Sequence, residues 1–210
     1  MKNYVVLFDL ICYVAIPLLI WNFGRDLLGD YYTMLVSSVP GILYSIYRFI
    51  LIKTFNLFGI FMLGNLIVGT LIDVLAGSAM QLLWNNVFYS YAIALLFIIS
   101  VLVNRPLFLF FAIDFTELQG SDRHEMKKSF YQKKVLRTFK WITLLFAFRD
   151  VLLASIKIWL IREYGVDAFD KGIVLRQVLS WGITAVSVIG FIYISKLLQT
   201  NDEESIRPPV

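Results

Sequence analysis

One cysteine, one histidine and five prolines occur in 210 residues, and only 16% of the residues are charged. With Cys12 alone, an intramolecular disulfide and a cysteine-based zinc site are both excluded, and its place in an apolar run makes it a packing residue. His124 stands among charged neighbours and reads as solvated, because a histidine metal site needs partners the chain does not supply. A phosphate-cradling glycine loop, a His-Glu-x-x-His helix and a Gly-x-Ser-x-Gly elbow are also missing. No metal, cofactor or enzymatic activity is therefore expected. An enzyme acting on lipid is the weakest reading, since the nucleophile and acid–base signatures it needs are missing too.

Apolar residues make up 59% of the chain, and the mean hydropathy is +0.75. Soluble domains lie nearer half apolar, with about a quarter of residues charged. Here the charges cluster between apolar blocks and could not cover so much Leu, Ile, Phe and Val in water. The solvent is lipid, and the fold class expected is all-α: a polytopic transmembrane helical bundle. A bilayer core about 30 Å thick needs roughly 20 apolar residues per helix. On that scale the spans fall at 5–23, 31–47, 55–76, 84–103, 139–161 and 178–198. They form one transmembrane domain over 1–198, with a basic loop at 104–138 and a disordered tail at 199–210. The first span is expected to stay as a helix. Asp9 interrupts its apolar run, which ends at Trp21-Asn22-Phe23-Gly24-Arg25 without a small-x-small cleavage site.

Trp21, Trp84, Trp141, Trp159 and Trp181 all fall near proposed span ends, where an amphipathic ring prefers the headgroup level. Lys and Arg number thirteen on the side holding both termini, the 2–3 loop and the 4–5 loop, against four on the other. The positive-inside rule then puts both termini in the cytoplasm, at a cytoplasmic (inner) membrane. The net charge of +4 is explained by attraction to anionic headgroups, so nucleic acid is not an expected partner.

Within the 4–5 loop, Pro106 can open a short helix whose apolar run, 107–111, is too short to span and is expected in the interface. After Gly120, Asp122 and Glu125 are spaced as a helix-start capping pair. Lys127, Lys128, Lys133, Lys134, Arg137 and Lys140 follow, with Met126, Phe130, Tyr131, Leu136 and Phe139 as an apolar side. This reads as a basic amphipathic helix lying on anionic lipid and leading into the fifth span. No internal repeat is evident, which weakens an inverted-repeat transporter.

Polar residues inside spans are costly in hydrocarbon, so they face the bundle interior and find partners. Asn65, Gly69 and Asp73 recur every four residues along one face of the third span. Arg149 and Asp150 fall near the middle of the fifth, with Lys157 seven residues past Asp150 on the same face. Matched depths pair Asp73 with Lys157 and Asn65 with Arg149, as two polar rungs between the third and fifth spans. Lys157 can equally snorkel outward beside Trp159. The Arg149–Asp150 pair is either a buried structural ion pair or a transport or proton-handling site. Ser37, Gly41 and Ser45 on the second span, and Gly182 and Gly190 on the sixth, form small-residue stripes suited to close packing, with flexing at Pro40 as the lesser role.

Four segments in order carry a resemblance. Tyr44-Ser45-Ile46-Tyr47-Arg48 follows the second span, Asn104-Arg105-Pro106-Leu107 the fourth; Lys140-Trp141 opens the fifth, and Ile192-Tyr193 lies near the end of the sixth. In these the chain resembles the bacterial intracellular septation protein A family, also called inner membrane-spanning proteins. Tyr44, Arg48, Arg105 and Pro106 match that family's motif positions, whereas the Arg149-Asp150 pair and the long basic loop depart from its pattern. The resemblance implies a non-enzymatic role in envelope maintenance or division, through lipid and other membrane proteins. The rival is a small transporter or channel with a polar pathway between the third and fifth helices.

Overall fold

A computed structural model describes residues 8–52 and 56–206, with side chains for 8–50 and 56–196. The expected starts of the first and third spans, at 5 and 55, lie outside the described residues, as do residues 207–210. The described residues are helical throughout their regular structure: a π-helical turn Ile11–Ala15, α1 Ile16–Ile52, α2 Leu57–Val74, α3 Ala79–Leu102, α4 Leu107–Leu118, α5 Arg123–Phe130, α6 Lys133–Tyr164, a 3-10 turn Gly165–Asp167 and α7 Ala168–Ile206. Four stretches are long and apolar enough to cross a membrane: Phe8–Ile50, Leu57–Val74, Ala79–Leu102 and Lys133–Lys196. Large apolar side chains line their outer faces, with Phe23 at 76% and Leu27 at 86% exposure. A soluble monomer rarely exposes contiguous apolar surface on this scale. The protein is membrane-embedded.

Chain reversals are set by backbone chemistry. Among the described residues, every one with positive φ sits at a reversal: Gly29, Gly77, Asn104, Gly120 and Gly165. Gly29, at φ 72° and ψ 164°, occupies a region essentially closed to other residues. It splits the long first stretch into two arms whose contacts are placed symmetrically about it. Arg48 pairs with Asp9 at 3.2 Å, the Tyr13 and Ser45 hydroxyls lie 2.7 Å apart, and Gly24 packs on Thr33. The stretch is therefore an antiparallel helical hairpin. Pro40 lies inside its second arm without the non-helical dihedrals that mark Gly29.

The contacts divide the chain into two compact units. The first comprises Met1–Ala92 and Asp150–Leu179. Its core joins Trp21 and Met34 of α1 to Leu82, Leu83 and Val87 of α3, with Ala154, Leu160 and Ile161 of α6 and Ala168 of α7. Trp21 is 1% exposed, with Phe169 at 4.9 Å and the Arg25 guanidinium 4.3 Å from its ring, because the largest apolar side chain fills the space where these helices meet. Trp141, Trp159 and Trp181 are exposed.

The second unit comprises Ile93–Arg149 and Ser180–Val210. Leu109 and Ile113 of α4, Phe130 of α5, Val135, Phe139 and Ile142 of α6, and Ile194 of α7 form its core. The short apolar run after Pro106 thus packs inward through Leu109 and Ile113, leaving Phe115 and Leu118 exposed. The expected single basic helix is broken at Tyr131–Gln132 into α5 and α6. In one straight helix, positions 130 and 135 lie well apart around the axis. The break brings Phe130 and Val135 into the same core. Gly190 lets Ile142 approach to where a Cβ would be only 3.0 Å away, whereas Gly182 faces open space. The helical backbone continues to Ile206, past the expected start of a disordered tail at 199. No glycine or proline interrupts it between Gly190 and Pro208.

Candidate functional site

The polar stripe of α2 finds its hydrogen-bond partners on α3. Asn86 donates to Asp73 Oδ1 at 2.6 Å, and the Tyr89 hydroxyl donates to Asn65 Oδ1 at 2.7 Å. Gly69 lies between them, with the Tyr89 ring at 4.0 Å from the position of a Cβ. The Tyr31 hydroxyl closes the end of α2 by donating to the Val74 carbonyl at 2.7 Å. Asn65 also donates to the Phe61 carbonyl at 2.7 Å, so its amide is used on both sides. The one-face spacing read from the third span is correct, but its hydrogen-bonding helix is the fourth span, not the fifth. Lys157 and Arg176 act on Asp73 at longer, electrostatic range. Lys157 is half-buried against Gly172, its Cε 3.9 Å from a Cβ there.

Asn86, Tyr89 and Tyr31 were not singled out from the sequence. Asn86 and Tyr89 are three apart in an apolar helix, so the face test that found the α2 stripe applies to them equally. Asp73 also borders a small groove of about 190 Å³ between the second arm of α1 and α2. Apart from Ser38, Thr70 and Asp73, that groove is lined by Leu, Val and Ile.

Arg149 and Asp150 are the other polar residues expected in mid-span. Asp150 is 6% exposed, and the half-buried Arg149 holds its guanidinium 5.0 Å from the Phe146 ring centre. The Tyr44–Arg48 segment is a working contact. Arg48 bridges to Asp9 and lies 5.8 Å from the Tyr44 ring, and Ser45 meets Tyr13. Gly41 gives Tyr13 room, since a Cβ there would be 3.0 Å from its ring. The small-residue stripe of the second span is thus a packing seam.

In the second unit Asn104 closes α3 with a left-handed residue, φ 59°. Arg105 N donates to the Ser100 carbonyl at 2.9 Å and Asn104 N to the Val101 carbonyl at 3.1 Å, the two bonds of a Schellman C-cap. Pro106, buried and unable to donate, then starts α4 in a new direction. The Asn104 side chain accepts from the Lys140 ammonium. Asp122 caps α5, accepting from His124 N and Glu125 N at 2.8 and 2.9 Å. Arg123 joins the buried Asp114 at 2.9 Å and also bonds to Glu117. Those bonds, Glu117's first, hold the guanidinium above its ordinary pKa and keep it charged.

Lys127, Lys128, Lys133, Lys134 and Arg137 are all exposed, opposite the buried Phe130, Val135 and Phe139. An open pocket of about 480 Å³ lies at the end of α3, lined by Val103, Asn104, Arg105, Phe110, Lys127 and Tyr131. Among the described residues no cluster of His, Cys, Asp and Glu has the arrangement of a metal site. No protein-family model, curated protein or solved structure matches the chain.

Proposed function

We propose that the chain is a non-enzymatic, six-span protein of the cytoplasmic membrane, with both termini inside, that supports envelope or division processes through lipid and protein contacts. The span count is supported by the two longest apolar stretches, which fold back on themselves at Gly29 and Gly165 into arms each long enough for one crossing. Orientation follows from the thirteen-to-four distribution of Lys and Arg. The envelope role follows from the resemblance at Tyr44, Arg48, Arg105 and Pro106.

The observation that carries the lipid contact is the two-sided character of residues 123–140. Besides Arg123, which is paired with carboxylates, Lys127, Lys128, Lys133, Lys134 and Arg137 stand exposed while the apolar residues between them are committed to a core, so this charged side is open to solvent or headgroups. Each Lys or Arg near an anionic surface contributes about 1 kcal/mol of attraction, screened by salt. The variant Lys128→Gln, Lys133→Gln, Lys134→Gln, Arg137→Gln should therefore keep its helicity. In detergent-free nanodiscs its basic segment should lack the salt-sensitive gain in protease protection that wild type shows on changing from zwitterionic to anionic lipid. Equal protection of wild type and variant in anionic discs would sink the proposal.

A further inference from the structure

We infer that the pocket at the end of α3 is a seat for one phosphate ester, the headgroup of an anionic phospholipid. This rests on the proposed membrane placement and adds a stoichiometric site to it. Charge is the first ground. Arg25, Arg48 and Arg123 each pair with carboxylates, but Arg105 and Lys127 have none among the described residues. No acidic residue lines the pocket, so its walls carry two unneutralised cations. Lys140 adds a third positive charge behind the wall, fastened to Asn104.

Geometry is the second ground. Arg105 follows a residue locked in the left-handed region, and its own N–H is already bonded to Ser100. Lys127 approaches from α5, which Asp122 caps. The two cations thus come from separate, fixed elements and converge on one space. A pocket of about 480 Å³ is within the roughly 300–1,000 Å³ range of small-molecule sites. Tyr131 offers a hydroxyl and Asn104 an amide for the remaining ester oxygens.

The apolar rim decides between a lipid and a soluble phosphate. Val103 and Phe110 belong to the lining, and Leu102 next to it is 75% exposed. The pocket is therefore continuous with the apolar surface of α3, where acyl chains would lie. A soluble phosphate would use the cations and leave that rim unused. Charge-assisted N–H to phosphate bonds, bidentate from the guanidinium, supply the specificity.

Native mass spectrometry of the full chain, released from nanodiscs of phosphatidylcholine and phosphatidylglycerol, tests the assignment. Wild type should retain one phosphatidylglycerol per chain under activation that strips phosphatidylcholine. Arg105→Gln with Lys127→Gln should lower that retention about tenfold or more, and Arg105→Lys should keep part of it. The Lys128, Lys133, Lys134 and Arg137 variant should retain the lipid normally even as its basic segment leaves the anionic surface, so either proposal can fail without the other. Circular dichroism of each variant guards against misfolding, and the charge-keeping Arg105→Lys leaves a folded comparison if the double variant does not fold. Equal retention by wild type and a folded Arg105→Gln, Lys127→Gln protein overturns the proposal. Displacement of the lipid by inorganic phosphate at matched concentration overturns the lipid assignment.

Discussion

At the residue scale, the carboxylate of Asp73 shows how a polar group is accommodated in a lipid-facing helix. Asn86 meets it at 2.6 Å while also donating to its own Leu82 carbonyl at 3.0 Å, so one amide fixes both its rotamer and its partner. Replacing Asn86 by Leu leaves the half-buried carboxylate without its donor. A loss of about 1–3 kcal/mol is expected, read from unfolding in mixed micelles. Tyr89→Phe removes only a neutral hydroxyl from Asn65 and should cost less, about 0.5–1.5 kcal/mol. The transport reading makes a different demand on the same cluster: proteoliposomes would show a proton or solute flux that Asp73→Asn abolishes. Absence of flux in wild type, with stability losses in the variants, leaves the cluster structural.

At the element scale, the notable helix is α2. It buries only Gly59, and it exposes Ile60, Ile67, Val68, Leu71 and Val74. Its side chains do not join the buried core of the first unit, so its hydrogen bonds to α3 and from Tyr31 are what orient it. That is reasonable in lipid, where apolar faces gain nothing by meeting each other and polar pairs and small residues decide which helices associate. The helical hairpin at Gly29 depends on backbone freedom instead. A Cβ there would meet nothing within 4 Å, so Gly29→Ala introduces dihedral strain without a clash. The cost expected is about 1–3 kcal/mol in thermal or denaturant unfolding. A neutral result would mean that the turn relaxes to another geometry, which the Arg25–Asp30 and Thr33–Gly29 bonds beside it oppose.

At the scale of the whole molecule, topology is the property that composition and charge govern most directly. With Cys12→Ser as background, Ser121→Cys should react with an impermeant thiol reagent only when the cytoplasmic face is open. Lys171→Cys should react from the outside. Labelling of both from one side would remove the six-span arrangement. The 4–5 connection marks how far this scale can be read. Asp122 was legible there as a cap. The clasp of Arg123 on the buried Asp114 was not, because nothing in local spacing says that α4 turns Asp114 inward.

Composition, the lengths of the apolar runs and the positions of Gly29, Gly120, Pro106 and Asp122 determined the helical class, the membrane environment, and several of the starts and reversals of helices. These are local properties: they depend on backbone dihedrals and on transfer to lipid, residue by residue. The small-residue seam of Ser37, Gly41 and Ser45 and the polar face of Asn65, Gly69 and Asp73 were legible for the same reason, since helical spacing alone puts them in line. What lies opposite a face is a different matter. That Asp73 meets Asn86, that Trp21 is buried against Phe169, and that Arg105 and Lys127 share a pocket all depend on how helices pair. Pairing between apolar helices has no strong hydrophobic preference in lipid, so only the tertiary structure decided it.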